Sequence, residues 1–192
     1  MTLIFATNNP HKVEEMQTAI GHSFHLISLR EANIDIDIPE PHDTLQANAT
    51  EKSKTINQLT GLNCFSEDTG LEVPILGGEP GVRSARYAGD KATAADNVSK
   101  LLHALSAETR REAQFRTVIS LILDGEEHFF EGVCKGRITE EPIGENGFGY
   151  DPVFVPDGSP KTFAEMNAEE KNQYSHRKKA ADQLVRFLQT LH

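Results

Sequence analysis

The chain opens with a buried strand that leads directly into a capped helix, and this pairing constrains the fold more than any other feature. Leu3-Ile4-Phe5-Ala6-Thr7 is a short apolar run typical of a buried strand. Asn9 followed by Pro10 is typical of a helix start, where a capping side chain precedes a proline in the first turn. Strands and helices alternate in this way early in the chain, which predicts an α/β protein with a mixed sheet.

Hydrophobic periodicity predicts the remaining elements. Helices are expected from Pro10 to about Ile20, from Thr44 to about Gly61, from Thr93 to about Leu105 and from Ser175 onward. Strands are expected at 24–29, 64–66, 115–123 and 128–135, with Asp124-Gly125 as a hairpin turn between the last two. The strict alternation of isoleucine and aspartate predicts one more half-buried strand, at 34–38. The inward stripe of the second helix is expected to contain Leu45, Ala49, Lys52, Ile56 and Leu59.

Composition excludes several classes of protein. The 192 residues are expected to form a single domain, 1–192, with a net charge of 19 − 29 = −10. This acidic balance argues against a general nucleic-acid binder. No apolar run approaches the ~20 residues of a membrane helix, and the N-terminus does not resemble a signal peptide. Two isolated cysteines, Cys64 and Cys134, make the cytoplasm the expected compartment.

Some basic residues break local rules, and such positions are candidates for function. Lys52 occupies an inward slot of its helix, where it either extends its ammonium to water or lines a phosphate site. Ser175-His176-Arg177-Lys178-Lys179 places cations at a helix start, where the helix dipole disfavours them. That patch is either a solvated basic surface or the site of an anionic or electron-rich ligand. Asn8, Asn9 and Lys12 surround an earlier helix start, whose free N–H groups suit phosphate.

Carboxylates and a glycine-rich loop form a second set of candidates. Glu40 and the pair Glu67-Asp68 lie at predicted strand ends, where ligands of open α/β sheets bind. Their oxygens suit Mg²⁺, although solvated acids would look the same. In Gly147-Phe148-Gly149-Tyr150-Asp151-Pro152 the glycines permit close backbone approach and an aromatic ring could stack on a base. One of the two rings could instead belong to the core.

These segments occur in an order that is specific when taken together. The order is Thr7-x-Asn9-x-x-Lys12, Glu40, Asn48-Ala49-x-x-Lys52, Ser66 to Leu71, Gly77 to Val82, Ser84 to Gly89, Gly147 to Pro152, Glu170-Lys171 and Ser175-His176-Arg177. The chain resembles the inosine/xanthosine triphosphate pyrophosphatase family over almost its whole length. Glu67 and Tyr150 stand where some members have aspartate and tryptophan, and both replacements keep the chemical type.

The resemblance implies a fold, a reaction and roles for residues. The fold would be an elongated mixed β-sheet flanked by helices, with two lobes and a central cleft. The reaction would be hydrolysis of ITP, dITP or XTP to the monophosphate and pyrophosphate, with Mg²⁺ as cofactor and a homodimer as the working form. Metal would bind Glu40, Asp68 and Glu67, and Asp68, Lys52 and Lys12 would be catalytic. Substrate would contact Thr7, Asn8, Asn9, Lys12, Lys52, Thr69, Phe148, Gly149, Tyr150, Asp151, Lys171, His176 and Arg177.

Three alternatives remain open from sequence. A Maf-like pyrophosphatase would act on pyrimidine nucleotides, a sensor would bind nucleotide without turnover, and a structural protein would do neither. The helix start at Ser175 and the Phe148 loop favour the purine enzyme, and no catalytic position is vacated. Arg83, Arg86 and Tyr87 receive no role, since they suit either the substrate cleft or a dimer contact.

Overall fold

The computed structural model describes residues 1–191, which form seven strands and five α-helices. The strands are β1 Thr2–Phe5, β2 His25–Ser28, β3 Cys64–Glu72, β4 Pro80–Gly81, β5 Glu112–Leu123, β6 Glu126–Ile138 and β7 Phe154–Pro156. The helices are α1 Pro10–Ile20, α2 Leu45–Thr60, α3 Ala94–Ala104, α4 Ala168–Asn172 and α5 His176–Gln189. The strands form one mixed sheet in the order β2-β1-β3-β5-β6-β7, with β4 paired to β3. The predicted fold class, a mixed sheet flanked by helices, is confirmed.

The chain divides into two compact units, and β3, β5 and β6 contribute residues to both. Unit 1 contains residues 1–68, 117–132 and 176–191, and unit 2 contains 69–116 and 133–175. In unit 1, β1 pairs in parallel with both β2 and β3. Parallel strands end at the same edge of a sheet, so the segments that follow β1 and β2 start at one edge.

The two faces of the unit 1 sheet are covered by different helices. Leu3, Phe5 and Phe65 face α1 and α5, and the rings of Phe5 and Phe65 stack with their centroids 4.6 Å apart. Ile4 and Cys64 face the opposite way, toward Ile56 of α2. Because side chains alternate along a strand, each of these short strands supplies both layers of the core.

Two predictions for the α2 face are wrong. Residues 34–38 form no strand, although Ile34, Ile36 and Ile38 do pack against the core as their alternation predicts. Alternation reports burial, whereas a strand also requires a backbone partner. The backbone of this segment makes isolated bonds instead, such as the bond from Asn8 Nδ2 to the carbonyl of Ile36 (2.7 Å). Leu59 is 59% exposed and does not belong to the inward stripe.

Unit 2 has its own core. Apolar side chains of α3, the first half of β5, the second half of β6 and β7 pack together, and the rings of Phe115, Phe154 and Phe163 contact one another. Capping boxes begin α3 at Thr93 and α4 at Asn167. Among residues 1–191, no helix is both long enough and apolar enough to span a bilayer.

Candidate active site

Strand β3 delivers two consecutive carboxylates to opposite faces of the unit 1 sheet. Ser66 and Asp68 point toward α2, where the Ser66 hydroxyl donates to the carbonyl of Ala49 (2.5 Å). Glu67 points toward α1 and α5 with Phe65. Because side chains alternate along a strand, these two neighbouring carboxylates lie on different faces of the sheet.

On the α2 face, Asp68 belongs to a compact polar cluster. The Lys52 ammonium contacts Asp68 Oδ1 (3.4 Å) and also pairs with Glu40. Asn48 Nδ2 donates to Asp68 Oδ2 (3.3 Å). The side chains of Lys52 and Asp68 are 8% and 7% exposed, and that of Glu40 is 25% exposed. Two carboxylates thus converge on one buried cation.

Burial and pairing compete at this cluster. Burial raises the pKa of Asp68, and the nearby cations Lys52 and Lys12 offset that rise only in part. Burial would lower the pKa of Lys52, but the charges of Asp68 and Glu40 outweigh it and raise the pKa. Lys52 therefore stays an ammonium, and the sequence prediction that it occupies a core-facing slot is confirmed.

On the opposite face, Glu67 is the centre of a buried ion-pair network. Arg177 binds it with two parallel bonds, Nε to Oε2 (2.7 Å) and Nη2 to Oε1 (2.8 Å). Lys12 Nζ lies 3.2 Å from Oε1. Arg177 also pairs with Glu15 of α1. Burial alone would raise the pKa of Glu67, yet Arg177 and Lys12 lower it to about 2.

Basic residues at the start of α5 are therefore paired with carboxylates of the same chain. The Arg177 side chain is 2% exposed and faces Glu67 and Glu15, and Lys178 pairs with Asp182 one turn later. These contacts argue against an open cationic patch that waits for an anion. The helix start also lies directly on β6, because a Cβ placed on Gly132 would stand 2.0 Å from the carbonyl oxygen of His176.

The turn between β1 and α1 is built from its own side chains. Asn9 caps α1, and its Oδ1 accepts from the N–H groups of His11 (3.0 Å) and Lys12 (3.3 Å). The Thr7 hydroxyl accepts from Asn9 N–H (3.2 Å). Asn8 is exposed and donates to the 34–38 segment. The predicted N-cap is confirmed, and it fixes the first turn that carries Lys12.

In unit 2, the glycine-rich loop is organised by Asp151. Asp151 Oδ2 accepts from Phe148 N–H (2.9 Å) and from Lys171 Nζ (2.6 Å). A Cβ placed on Gly147 would stand 2.0 Å from the same oxygen, and φ at Gly147 is +75°, so this position requires glycine. The Lys171 ammonium lies 5.4 Å from the centroid of the Phe148 ring.

The two aromatic rings of this loop differ. Phe148 is half-buried, whereas Tyr150 is buried and donates its hydroxyl to the carbonyl of Ser84 (2.8 Å). Burial raises the pKa of Tyr150. Tyr150 is thus the ring that belongs to the core. Gly149, with φ of +63°, separates the two rings.

Thr69, another predicted substrate residue, follows Asp68 along β3 and is half-buried.

Comparison with known proteins identifies the family. The family model described as the Ham1 family matches residues 3–187. This chain belongs to the Ham1 family. Two similar proteins, from Porphyromonas gingivalis and Flavobacterium johnsoniae, are 52% and 50% identical over 187 and 188 residues and are both named dITP/XTP pyrophosphatase. The matches cover 97% and 98% of this chain and 96% and 98% of those proteins.

Solved structures of Ham1 proteins have the same fold. The Ham1 protein of Staphylococcus aureus is 38% identical, with a TM-score of 0.90 over 100% of both chains. A HAM1 protein from Coxiella burnetii is 37% identical, with a TM-score of 0.90 over 99% of both chains. The recognition made from motif order is therefore confirmed.

For this Ham1-family chain, the site contains two residues that sequence analysis did not assign. Asn48 lies four residues before Lys52, so the two share one face of α2. This spacing alone would have indicated that Asn48 lies beside Lys52. Glu15 lies on α1 near Lys12, and nothing in the sequence connects it to Arg177, 162 residues away. Residues 1–191 contain no group of three or more His, Cys, Asp or Glu side chains arranged to hold a metal ion.

Proposed function

We propose that this protein hydrolyses noncanonical purine nucleoside triphosphates, namely dITP, ITP and XTP, to the monophosphate and pyrophosphate. Membership of the Ham1 family and the names of its relatives support this activity. The observation that carries the proposal is the convergence of Glu40 and Asp68 on the ammonium of Lys52. Such a cluster combines acceptors for a metal ion with a cation for phosphate in one place.

We propose Mg²⁺ as the cofactor, bound by Glu40 and Asp68. Two carboxylates facing one cation suit Mg²⁺, which binds one or two carboxylates together with substrate phosphates and water. When bound, the ion would neutralise charge on the phosphates. Glu67 is left out of the metal site because both of its oxygens already accept from Arg177.

The reaction joins a water oxygen to the α-phosphorus and breaks the bond between that phosphorus and the α–β bridging oxygen, so that pyrophosphate leaves. Asp68 is the proposed acceptor of the water's proton, since a carboxylate that is partly desolvated is a stronger base than one in water. Lys12 and Lys52 would balance charge on the triphosphate. Thr7, Asn8, Asn9 and Thr69 would position it, with Asn9 acting through its cap on α1.

We propose that the Asp151 loop of unit 2 recognises the base. Phe148 would stack on the purine, and Gly149, Asp151 and Lys171 would hydrogen-bond its edge. Hypoxanthine and xanthine carry an oxygen at C6, so a donor placed there would reject adenine by being left unpaired. The buried Tyr150 would support the loop. Arg177 would hold α5 against Glu67 rather than contact the base directly.

Assembly and location complete the proposal. The working form would be a homodimer, and the protein would act in the cytoplasm, where it would cleanse the nucleotide pool. Nucleic acid is not expected as a partner, because the net charge is −10.

Product analysis with a panel of nucleotides tests this function. ITP, dITP, XTP, GTP, ATP and UTP are incubated separately with the protein and Mg²⁺, and products are separated by chromatography. We expect IMP and pyrophosphate from ITP, and little product from ATP, GTP or UTP. Asp68→Asn keeps the size of the side chain and removes its charge, and it should lower the rate by at least ~100-fold.

The same panel separates the alternatives. IDP and phosphate from ITP would contradict attack at the α-phosphorus. Preferential turnover of UTP would indicate a pyrimidine enzyme instead. Nucleotide binding without any product, in a folded protein, would favour a sensor.

A further inference from the structure

We propose that Asn48 is a positioning residue that fixes Glu40 and Asp68 relative to each other before any metal ion arrives. This inference rests on the proposed function, because it assigns those two carboxylates to one metal site. Asn48 is fully buried on α2, between the strand that carries Asp68 and the segment that carries Glu40.

One amide side chain connects three parts of unit 1. Asn48 Oδ1 accepts from the N–H of His42 (2.9 Å), and Nδ2 donates to the carbonyl of the same residue (3.1 Å). Nδ2 also donates to Asp68 Oδ2 (3.3 Å). The two hydrogens of the amide nitrogen therefore serve one backbone carbonyl and one catalytic carboxylate.

The orientation of this amide is fixed by its partners. An N–H faces Oδ1, and two oxygens face Nδ2, so a flipped amide would oppose acceptor to acceptor and donor to donor. The partners therefore exclude the flipped amide, and the orientation that they favour places Nδ2 against Asp68.

The sequence explains why the Glu40 segment needs such a clamp. Glu40 lies between Pro39 and Pro41, and neither proline has an N–H group to donate. His42 supplies the first backbone N–H after them, and Asn48 accepts it. Residues 34–41 form neither helix nor strand, so regular backbone pairing does not hold Glu40. The segment is held instead by the bonds between His42 and Asn48 and by the ion pair between Glu40 and Lys52.

The consequence for metal binding follows from preorganisation. Outer partners that orient ligands typically change metal affinity or activity by ~10–100-fold when removed. Without Asn48, the segment that carries Glu40 would lose the two bonds at His42, and Asp68 would lose one neutral donor. The metal would then have to order both ligands as it binds.

Unit 2 offers a matched control in Asn97. Asn97 is also a buried asparagine on a helix, and it also clamps a loop: Oδ1 accepts from Ala88 N–H (2.7 Å) and Nδ2 donates to the carbonyl of Ala85 (3.0 Å). Within residues 1–191, the side-chain amide of Asn97 forms hydrogen bonds with backbone groups and with no carboxylate. Replacing Asn97 by alanine removes one bond from a backbone N–H and one bond to a backbone carbonyl. Replacing Asn48 removes the same two kinds of bond at His42.

The test measures Mn²⁺ binding to the full-length protein by electron paramagnetic resonance, with Mn²⁺ alone as the probe. The unmodified protein is compared with Asn48→Ala, Asn48→Leu and Asn97→Ala below their unfolding temperatures. Leucine keeps the branched skeleton of asparagine and makes no hydrogen bond, so it provides a second variant if the alanine leaves too large a cavity. We expect ~10-fold weaker Mn²⁺ binding in both Asn48 variants and no change in Asn97→Ala.

Kinetics with ITP supply a second readout. In the Asn48 variants we expect the Mg²⁺ concentration for half-maximal rate to rise by a similar factor, and excess Mg²⁺ to restore much of kcat. Equal Mn²⁺ binding in the unmodified protein and the Asn48 variants, or an equal loss in Asn97→Ala, would overturn the inference. An unmodified protein that binds Mn²⁺ without turning over any nucleotide would refute the proposed function, and the Mn²⁺ comparison would still decide the role of Asn48.

Discussion

At the scale of single residues, Glu67 and Asp68 show how adjacent, chemically similar groups acquire different roles. Strand alternation sends one to each face of the sheet. Glu67 meets two cations, which lower its pKa to about 2, whereas burial dominates at Asp68 and raises its pKa. Glu67 therefore stabilises the packing of α1 and α5 on the sheet through its ion pairs, whereas Asp68 is a stronger base than an ordinary aspartate.

The stability contributed by Glu67 should depend on pH. Its pKa is lower in the folded protein than the ordinary 4.5, so its contribution is complete above about pH 4.5 and is lost as the pH falls toward 2. Glu67→Gln should therefore reduce the free energy of unfolding by roughly 3 kcal/mol at pH 7. Urea unfolding at pH 7 and at pH 3 should show the difference between the two proteins shrinking at the lower pH.

Glu72→Gln is the matched control for that experiment. Glu72 also lies on β3 and also binds an arginine with two bonds, from Arg116 Nε (2.9 Å) and Nη2 (2.8 Å) to Oε1, but its side chain is 22% exposed. A more exposed ion pair contributes about 1 kcal/mol or less. Equal losses in the two variants at pH 7 would contradict the central place given to the Glu67 network.

Some of these residues are recognisable from the sequence, whereas their partners are not, and the reason is physical. Lys52 was found because it breaks the apolar stripe of its own helix, a local rule. Arg177 also stands out, because it is a cation at a helix start. Its partner Glu67 is 110 residues away, so the sequence suggests an external ligand where the structure has a buried carboxylate. Patterns along a chain reveal unusual residues, but only the fold reveals what satisfies them.

At the scale of elements, a set of hydroxyl groups adds hydrogen bonds to the apolar packing that holds α2 on the sheet. Ser53 Oγ bonds Ser120 Oγ (2.7 Å), and Ser120 Oγ donates to Glu127 Oε1 (2.8 Å). The Thr50 hydroxyl donates to the same oxygen (2.7 Å). A carboxylate only accepts, so the hydroxyls of Thr50 and Ser120 both donate to Glu127. These bonds fix the helix that carries Lys52 and Asn48.

Glu127→Ala should loosen α2. Two hydroxyls lose their acceptor, so we expect the free energy of unfolding to fall by about 1–2 kcal/mol, with a lower kcat for ITP because Lys52 shifts. Glu127→Gln retains an accepting oxygen and should recover most of both losses. Glu126→Ala, at a neighbouring side chain that is 82% exposed, is the control. Thermal unfolding and steady-state kinetics measure the effects, and a Glu127→Ala protein that behaves like Glu126→Ala would refute this account of α2.

The predicted strand at 34–38 shows the limit of pattern analysis for elements. The isoleucines are placed as the period requires, and the three of them pack on the core. A strand would also need a partner for its backbone, and the period carries no information about partners. In contrast, the helix at Pro10–Ile20 was predictable to its first residue because its cap is local in sequence.

At the scale of the molecule, the candidate site depends on how distant segments combine. Unit 1 brings together residues from three stretches of chain, and the last of them returns as α5 to cover the sheet beside α1. Unit 2 keeps the Asp151 loop on its own aromatic core. The order of motifs was enough to recognise the Ham1 family, whereas the contacts within each unit were needed to separate Asp68 from Glu67 and Phe148 from Tyr150.

Hydrolysis of ITP in ¹⁸O-labelled water tests the central claim most directly. The claim is that a water positioned by Asp68 attacks the α-phosphorus, so the new oxygen must end in the monophosphate. We predict that mass spectrometry will find one ¹⁸O atom in the phosphate of IMP and none in pyrophosphate. Label in pyrophosphate, or in free phosphate released with IDP, would contradict the account, because the attack would then occur at a different phosphorus.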